Sequence, residues 1–313
     1  FFTGTVDSVP RAEVGSEAAA YSFDLRTIFS DQNTSLSVAP DVLTVTHGAL
    51  PTGVTITNGV LEFTDITNFA RTGVFTIDVT VTDLFGLSPS ETLNFEIGQH
   101  HDYGDYQPVF YLTDYVNGSV AGDTIIVGNV YYEATNEGAG FELKSLAGDD
   151  TVTLGDVTID SAFSYFTLDT GADDDDVTIS SFATTGLDAS GSINLGAGDD
   201  TFTVGHFVVG ENATVSSVIG GAGADALNFM GDVSGAQIDL GADTDADTLI
   251  FRGMVDGGQI SNWTQGVDTV DVVDHTLWAI TLDDGTNTTL SDGTSTLTFL
   301  GVTGLTDAED FLI

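Results

Sequence analysis

An aspartate returns through the second half of the chain at nearly constant intervals: Asp123, Asp150, Asp175, Asp200, Asp225, Asp247 and Asp268, in steps of 27, 25, 25, 25, 22 and 21 residues. After each one comes a short alternating segment, such as Thr124-Ile125-Ile126-Val127, Thr151-Val152-Thr153-Leu154, Val177-Thr178-Ile179 or Thr201-Phe202-Thr203-Val204. Before the turn stands a second one: Tyr165-Phe166-Thr167-Leu168, Ser192-Ile193-Asn194-Leu195, Val215-Ser216-Ser217-Val218-Ile219 and Ala236-Gln237-Ile238-Asp239-Leu240. A unit this small cannot bury its apolar face alone, so neighbouring copies must stack. Strand, excursion, strand and tight acidic turn describe one rung of a parallel β-solenoid over residues 122–272. Alternate apolar side chains point inward, onto the same positions of adjacent rungs. Beyond the last rung, Asp284-Gly285 and Asp292-Gly293 separate Thr-rich strands, which predicts a cap of antiparallel hairpins over 273–313.

Charge narrows the function. The chain has 48 acidic residues against 5 Lys plus Arg, a net charge of -43. Residues 1–121 hold fifteen acids and three arginines; residues 122–313 hold thirty-three acids with only Lys144 and Arg252. Such a surface cannot displace the counterions of nucleic acid and is repelled by anionic lipid. It points to bound cations, a salty medium, or both. Cysteine is absent, so disulfides and thiolate metal sites are excluded. No run of about 18 apolar residues exists to span a membrane as a helix. The chain opens Phe1-Phe2-Thr3 without Met, as expected of a processed or partial chain.

The acidic turns carry the chemistry. Glycines permit positive φ, which aims backbone carbonyls at one spot, and the aspartate adds a carboxylate; a hard cation takes six to eight such oxygens. Stacking at about 4.8 Å would set the carboxylates of successive rungs on top of one another, where they repel unless a cation lies between. Gly220-Gly221-Ala222-Gly223-Ala224-Asp225-Ala226-Leu227-Asn228 fits the calcium-binding nonapeptide GGxGxDxUx at each specified position, and Gly196-Ala197-Gly198-Asp199-Asp200-Thr201-Phe202 is close to it. Over about half the chain the sequence therefore resembles the RTX family of secreted bacterial proteins, which implies a β-roll holding several calcium ions. The candidate ligands are Asp123, Asp149, Asp150, Asp173, Asp174, Asp175, Gly196, Gly198, Asp199, Asp200, Gly221, Gly223, Asp225, Asp243, Asp245, Asp247 and Asp268. There are departures. Family coils carry two nonapeptides per 18-residue turn, whereas a 25-residue rung here carries one, so ions are expected along one edge. The turns Gly171 to Asp175 and Gly241 to Asp247 have acids in place of glycine. An Asp/Gly-rich turn without metal is the alternative. The ending, Thr298-Phe299-Leu300-Gly301 to Asp310-Phe311-Leu312-Ile313, resembles the uncleaved signal of type I-secreted proteins; it also reads as a last strand and short helix capping the solenoid.

Residues 1–98 read as about seven short strands, with Asn58-Gly59 between Val54-Thr55-Ile56-Thr57 and Val60-Leu61-Glu62-Phe63 as the hairpin signal. This predicts a β-sandwich. Phe29-Ser30-Asp31, Leu50-Pro51-Thr52-Gly53, Gly73-Val74-Phe75 and Val79-Thr80-Val81-Thr82-Asp83-Leu84-Phe85-Gly86 follow the order of dystroglycan-type cadherin-like domains, which this third of the chain resembles. The likeness makes Glu17, Asp31 and Asp83 candidate calcium positions, against a role as strand and turn caps. Residues 99–121, with His100-His101-Asp102 and Tyr103, Tyr106, Tyr111 and Tyr115, read as a linker and end cap.

Catalytic patterns are missing: no His-Glu-x-x-His, Gly-x-Ser-x-Gly or P-loop occurs, and His47, His100, His101, His206 and His275 are scattered. The expected protein is all-β and non-catalytic, a calcium-stabilised structural or adhesive protein, secreted to a bacterial cell surface, that associates with itself or with a surface partner. Two other readings stay open. A ligand- or glycan-binding module would show an exposed aromatic cluster near Trp263 and Trp278. Ice binding would use a threonine ladder, which breaks at Leu227-Asn228 and Leu249-Ile250.

Overall fold

The computed structural model describes residues 12–14, 21–25, 44–50, 53–63, 73–82, 90–102, 113–132, 137–273, 277–304 and 312. Among them every regular element is a β-strand, and no helix is long and apolar enough to cross a membrane. The chain divides into two compact units, residues 1–101 with 119–124, and 102–118 with 125–313.

The first unit contains β1 (Ala12–Val14), β2 (Tyr21–Asp24), β3 (Thr44–His47), β4 (Val54–Thr57), β5 (Val60–Phe63), β6 (Gly73–Thr82) and β7 (Ser90–Asp102). β6 pairs antiparallel with both β3 and β7, and β1 runs parallel to β7; β2, β5 and β4 form a separate antiparallel sheet. β4 and β5 are joined by Asn58 and Gly59, with φ of 53° and 79°, the two positive values that a tight hairpin needs. Glu17, Asp31 and Asp83 lie outside the described residues, as do Tyr103, Tyr106 and Tyr111. β7 runs on to Asp102, so the stretch His100-His101-Asp102 is strand.

The second unit is a parallel β-solenoid of about six turns. It starts with β8 (Thr113–Asn117), β9 (Thr124–Val127), β10 (Val130–Tyr132) and β11 (Gly140–Lys144). Three long-stranded rungs follow: β12 (Thr151–Ile159) with β13 (Tyr165–Asp169), β14 (Asp176–Thr184) with β15 (Ser190–Ala197), and β16 (Thr201–Val209) with β17 (Ser216–Ala222). The shorter rungs contain β18 (Ala226–Phe229), β19 (Val233–Ser234) and β20 (Gln237–Asp239), then β21 (Thr248–Phe251), β22 (Val255–Asp256) and β23 (Gly258–Ser261). β24 (Thr269–Val272) opens the last turn, and β25 (Ala279–Asp283), β26 (Thr288–Ser291) and β27 (Thr296–Phe299) close the chain. One sheet stacks β9, β12, β14, β16, β18, β21 and β24; the other stacks β8, β11, β13, β15, β17, β20 and β23. The expected hairpin cap is present: β25, β26 and β27 are antiparallel, and β27 lies parallel on β23.

Burial explains this stacking. In β12 the inward residues are Val152 and Leu154, then Val157 and Ile159; the alternation slips by one at Gly155, where the strand turns a corner. Partners in β14 and β16 skip at the same place, Ser180 and Gly205. A column of phenylalanines fills the interior. Phe141 stacks on Phe166 at 5.6 Å, Phe182 on Phe207 at 4.9 Å, and Phe229 on Phe251 at 5.2 Å, with edge contacts between the pairs. Parallel in-register rungs bring like residues together, so one aromatic per rung becomes a continuous core.

Phe207 is fully buried between Phe182 and Phe229. Phe207→Ala is expected to cost about 3–5 kcal/mol, against less than about 0.5 kcal/mol for exposed Thr153→Ala. Urea denaturation followed by circular dichroism measures both.

Candidate metal centre

The turn between the two sheets has the form Gly-Ala-Gly-Asp-Asp, clearest at Gly196 to Asp200. Its first position takes positive φ in successive rungs at Leu146, Gly171, Gly196, Gly221 and Gly241, and its third at Gly148, Asp173, Gly198 and Gly223. The alanines between bridge from rung to rung, Ala147 to Ala172 to Ala197. Glycine is needed for space as well as for φ: a Cβ on Gly221 would overlap the carbonyl oxygen of Gly196, one rung before. Asp173 takes φ of 76° where other rungs have glycine, so the irregular turn keeps the same path; aspartate tolerates this region better than most side chains.

Because side chains alternate, the two aspartates of each Asp-Asp pair face opposite ways. The second turns inward and is buried. Its Oδ1 accepts the amide N–H of the equivalent aspartate one rung earlier: Asp150 donates to Asp175 at 2.8 Å, Asp175 to Asp200 at 2.8 Å and Asp200 to Asp225 at 3.0 Å. The ladder continues from Asp225 to Asp247 at 2.9 Å and from Asp247 to Asp268 at 3.1 Å. It ends at Asp268, whose Oδ2 is taken by the N–H of Thr264. The first aspartate of each pair is exposed and forms a ladder of opposite sense. Asp174 donates to Asp149, Asp199 to Asp174 at 2.8 Å, and Ala224 to Asp199 at 2.9 Å.

The remaining candidates take other places. Asp173 accepts from Gly148, and Asp243 from both Gly223 and Asp245. Asp123 caps its own turn, with Oδ2 accepting the Ser119 N–H at 2.5 Å and Oδ1 the Ser119 hydroxyl at 2.9 Å. Asp150 to Asp268 thus form one buried column; Asp149, Asp174 and Asp199 form a second, outer one.

Electrostatically the inner column is unfinished. Oδ2 of Asp175, Asp200 and Asp225 is buried with no hydrogen-bond partner. Burial pushes the carboxyls of Asp175 and Asp225 up to about 6 and those of Asp200 and Asp247 up to about 7; the amide bond each accepts opposes this, and neighbouring carboxylates add to it. Among the described residues no lysine or arginine pairs with this column, and Arg252 pairs with Asp271. An unpaired buried charge is costly, so each of these groups needs a proton or a cation.

No family model, no curated protein and no solved structure matches the chain. The fit of a metal therefore rests on the donors themselves. They are all oxygen: one inward carboxylate per rung beside the carbonyls of glycine-rich turns, the donor type of a hard cation such as calcium. Among the described residues no three His, Asp or Glu side chains group closely enough to hold an ion by themselves. Any ion here would draw on carbonyls as well as the inner aspartates.

Two features escaped the sequence reading. The outer ladder was signalled by the Asp-Asp dipeptides, whose members must face apart. A third polar column runs along the corner of the first sheet, where Asn129 accepts the Asp156 N–H, Ser181 donates to Asp156, and His206 Nδ1 accepts the Asp232 N–H at 2.9 Å. No spacing rule marks it, because each rung uses a different residue. Trp263 and Trp278 are buried in the solenoid core, so they do not form the exposed aromatic cluster that would mark a glycan surface.

The pH dependence follows from the raised carboxyls. The folded chain holds these protons more tightly than the unfolded one, whose aspartates titrate near 3.8. Their contribution is full below about 4 and is lost as pH rises through 6 to 7. In chelator, the solenoid is expected to melt at a higher temperature at pH 5 than at pH 8. A melting temperature that rises steadily from pH 5 to 8 would contradict the burial of this column.

Proposed function

We propose that the protein is a non-catalytic, calcium-stabilised extracellular protein of structural or adhesive type, which associates with itself at a bacterial cell surface. The observation that carries this is the inner column, in which Asp175, Asp200 and Asp225 each keep a buried carboxylate oxygen without a partner. Calcium between rungs would neutralise these groups and add bonds along the stack. Asp150, Asp175, Asp200, Asp225 and Asp247, with carbonyls of turns such as Gly196 to Gly198 and Gly221 to Gly223, are the residues proposed to hold it; the exposed Asp149, Asp174 and Asp199 add attraction from outside. In this reading the solenoid is an RTX-type β-roll exported by type I secretion, and residues 1–98 are a cadherin-like sandwich serving as spacer or adhesive module. A stiff stack of rungs suits load bearing. With net charge -43, copies repel until cations neutralise them, so assembly should depend on calcium.

Chelation tests the metal. Without calcium, residues 122–272 are expected to lose β-structure and thermal stability while the first unit stays folded; at the ~10⁻⁴–10⁻³ M affinity of extracellular modules, millimolar calcium restores them. Unchanged circular dichroism and melting in chelator would sink the proposal.

Asp200→Asn gives a sharper test, because the amide oxygen can still accept the Asp175 N–H while the charge is gone. In chelator at pH 8 the variant should melt at a higher temperature than the parent. In millimolar calcium the order should reverse. A shift of the same sign in both conditions would show that Asp200 holds no cation.

A further inference from the structure

Tripeptides of the form Asn-x-Ser/Thr begin at Asn33, Asn117, Asn212, Asn262 and Asn287. At this pattern a transferase attaches sugar to the asparagine amide, which requires a reachable carboxamide and a reachable hydroxyl two residues on. So short a pattern also recurs by chance, and the structure distinguishes its copies. Asn33 lies outside the described residues. Three of the others are closed. Asn117 ends β8, and its hydroxyl, on Ser119, is buried and bonded to Asp123 Oδ1 at 2.9 Å. Asn262 donates Nδ2 to Asp239 at 2.5 Å, and the Trp263 that follows it is buried in the core. Asn287 accepts the Gly301 N–H through Oδ1 at 3.0 Å, and the Thr289 hydroxyl is bonded to that of Thr298.

Asn212-Ala213-Thr214 differs. It lies on the excursion between β16 and β17, with Asn212 and Thr214 both exposed. The backbone is pinned: the Asn212 carbonyl accepts the Asp188 N–H at 2.9 Å, Ala213 donates to the Gly210 carbonyl at 3.1 Å, and Thr214 to that of Ala189 at 2.8 Å. Among the described residues neither the Asn212 carboxamide nor the Thr214 hydroxyl has a hydrogen-bond partner. The adjoining surface is apolar on an otherwise acidic chain. Leu187, next to Asp188, is 54% exposed; one rung further Phe163, 59% exposed, donates its N–H to the Leu187 carbonyl at 2.9 Å. Phe163 has φ of 58°, which so bulky a residue rarely adopts, so the fold holds an aromatic ring in solvent on a backbone that does not favour it.

We propose that Asn212 is a site of N-linked glycosylation, its first sugars lying along the edge formed by Leu187 and Phe163. In the transfer, Asn212 Nδ2 displaces phosphate from C1 of a phosphate-activated sugar. The N–C1 bond forms, the C1–O bond breaks with its electron pair leaving on the phosphate, and one amide proton passes to a base of the transferase. An amide engaged as that of Asn262 is must first give up its bond; that of Asn212 has none to lose. The excursion also tolerates the load, because bulk added to a solvated connection displaces no strand of either sheet. A sugar has an apolar C–H face as well as hydroxyls, and that face suits the exposed ring and leucine, a patch of the kind that marks contact. The site does not depend on whether the inner aspartate column holds a cation.

Mass spectrometry of the full-length chain, recovered from the cells that make it, tests the assignment. The peptide holding Asn212 is expected to carry a sugar adduct, while those holding Asn117, Asn262 and Asn287 run at their bare masses. A single sugar points to a nucleotide-linked donor and a preassembled oligosaccharide to a lipid-linked one; both support the site. Asn212→Gln and Thr214→Ala should each abolish the adduct and Thr214→Ser should retain it, with circular dichroism showing the same β-structure in all three. A bare Asn212 peptide overturns the proposal, as does sugar on Asn262 or Asn287, whose amides are bonded. An adduct that survives Asn212→Gln overturns it too, because a hydroxyl then carries the sugar.

Discussion

The solenoid depends on a hydrogen bond from the amide of one buried aspartate to the carboxylate of the next. Five such bonds, from Asp150 to Asp268, tie the rungs along one edge at 2.8–3.1 Å. Each bond also places a carboxylate next to another of the same sign, in surroundings dry enough to drive it toward neutrality. The same contact that aligns the rungs therefore accumulates the charge that would separate them. Hydrogen bonding to the ionised form is worth more than to a neutral acceptor, and burial makes that form expensive; here burial is the larger effect, since the carboxyls titrate at about 6 to 7 instead of 3.8.

The ladder also explains how uneven rungs share one register. The aspartate step shrinks from 25 residues to 22 and 21, yet the acceptor at each level is still the next inner aspartate. The change is absorbed elsewhere. β14 and β16 run unbroken through nine residues, whereas the later rungs split into β18 with β19 and β21 with β22, and the excursion before the second sheet shortens. Turn and core dictate the vertical alignment, and the solvated excursion takes up what length remains.

Much of this was legible. The aspartate spacing alone located each rung, because a residue that must sit in the same corner of each turn leaves a period in the sequence. The hairpins at Asn58-Gly59, Asp284-Gly285 and Asp292-Gly293 were equally plain, since they rest on local backbone geometry. Direction was harder. That Asp200 points in and Asp199 out follows from alternation only once the strand start is known, and the sequence reading treated both as one ligand set. The corner at Gly155 and Ser180 was hidden for a related reason: a slip of one in the alternation looks like noise unless neighbouring rungs are aligned. The burial of Trp263 and Trp278 was not readable, because it depends on how the cap folds back over the last rung; Trp263 meets Phe299 of β27 at 5.3 Å.

Scarcity of cations gives the arrangement its chemical sense. Thirty-three acids share residues 122–313 with Lys144 and Arg252, and Arg252 is engaged by Asp271. A lysine within reach of the inner column would neutralise one carboxylate permanently, and the stack would then be indifferent to its medium. With Oδ2 of Asp200 and Asp225 left without a hydrogen bond, neutralisation falls to what the solution supplies: a proton below about pH 6 or, in the reading proposed above, a metal ion above it. The repetition of the turn then matters, because corners of one path at one strand spacing present a repeating set of oxygens in which each level shares its neighbours' field. In the reading proposed above, an ion seated between two levels would bind carboxylates of both, so the ordering of one rung would be coupled to that of its neighbours.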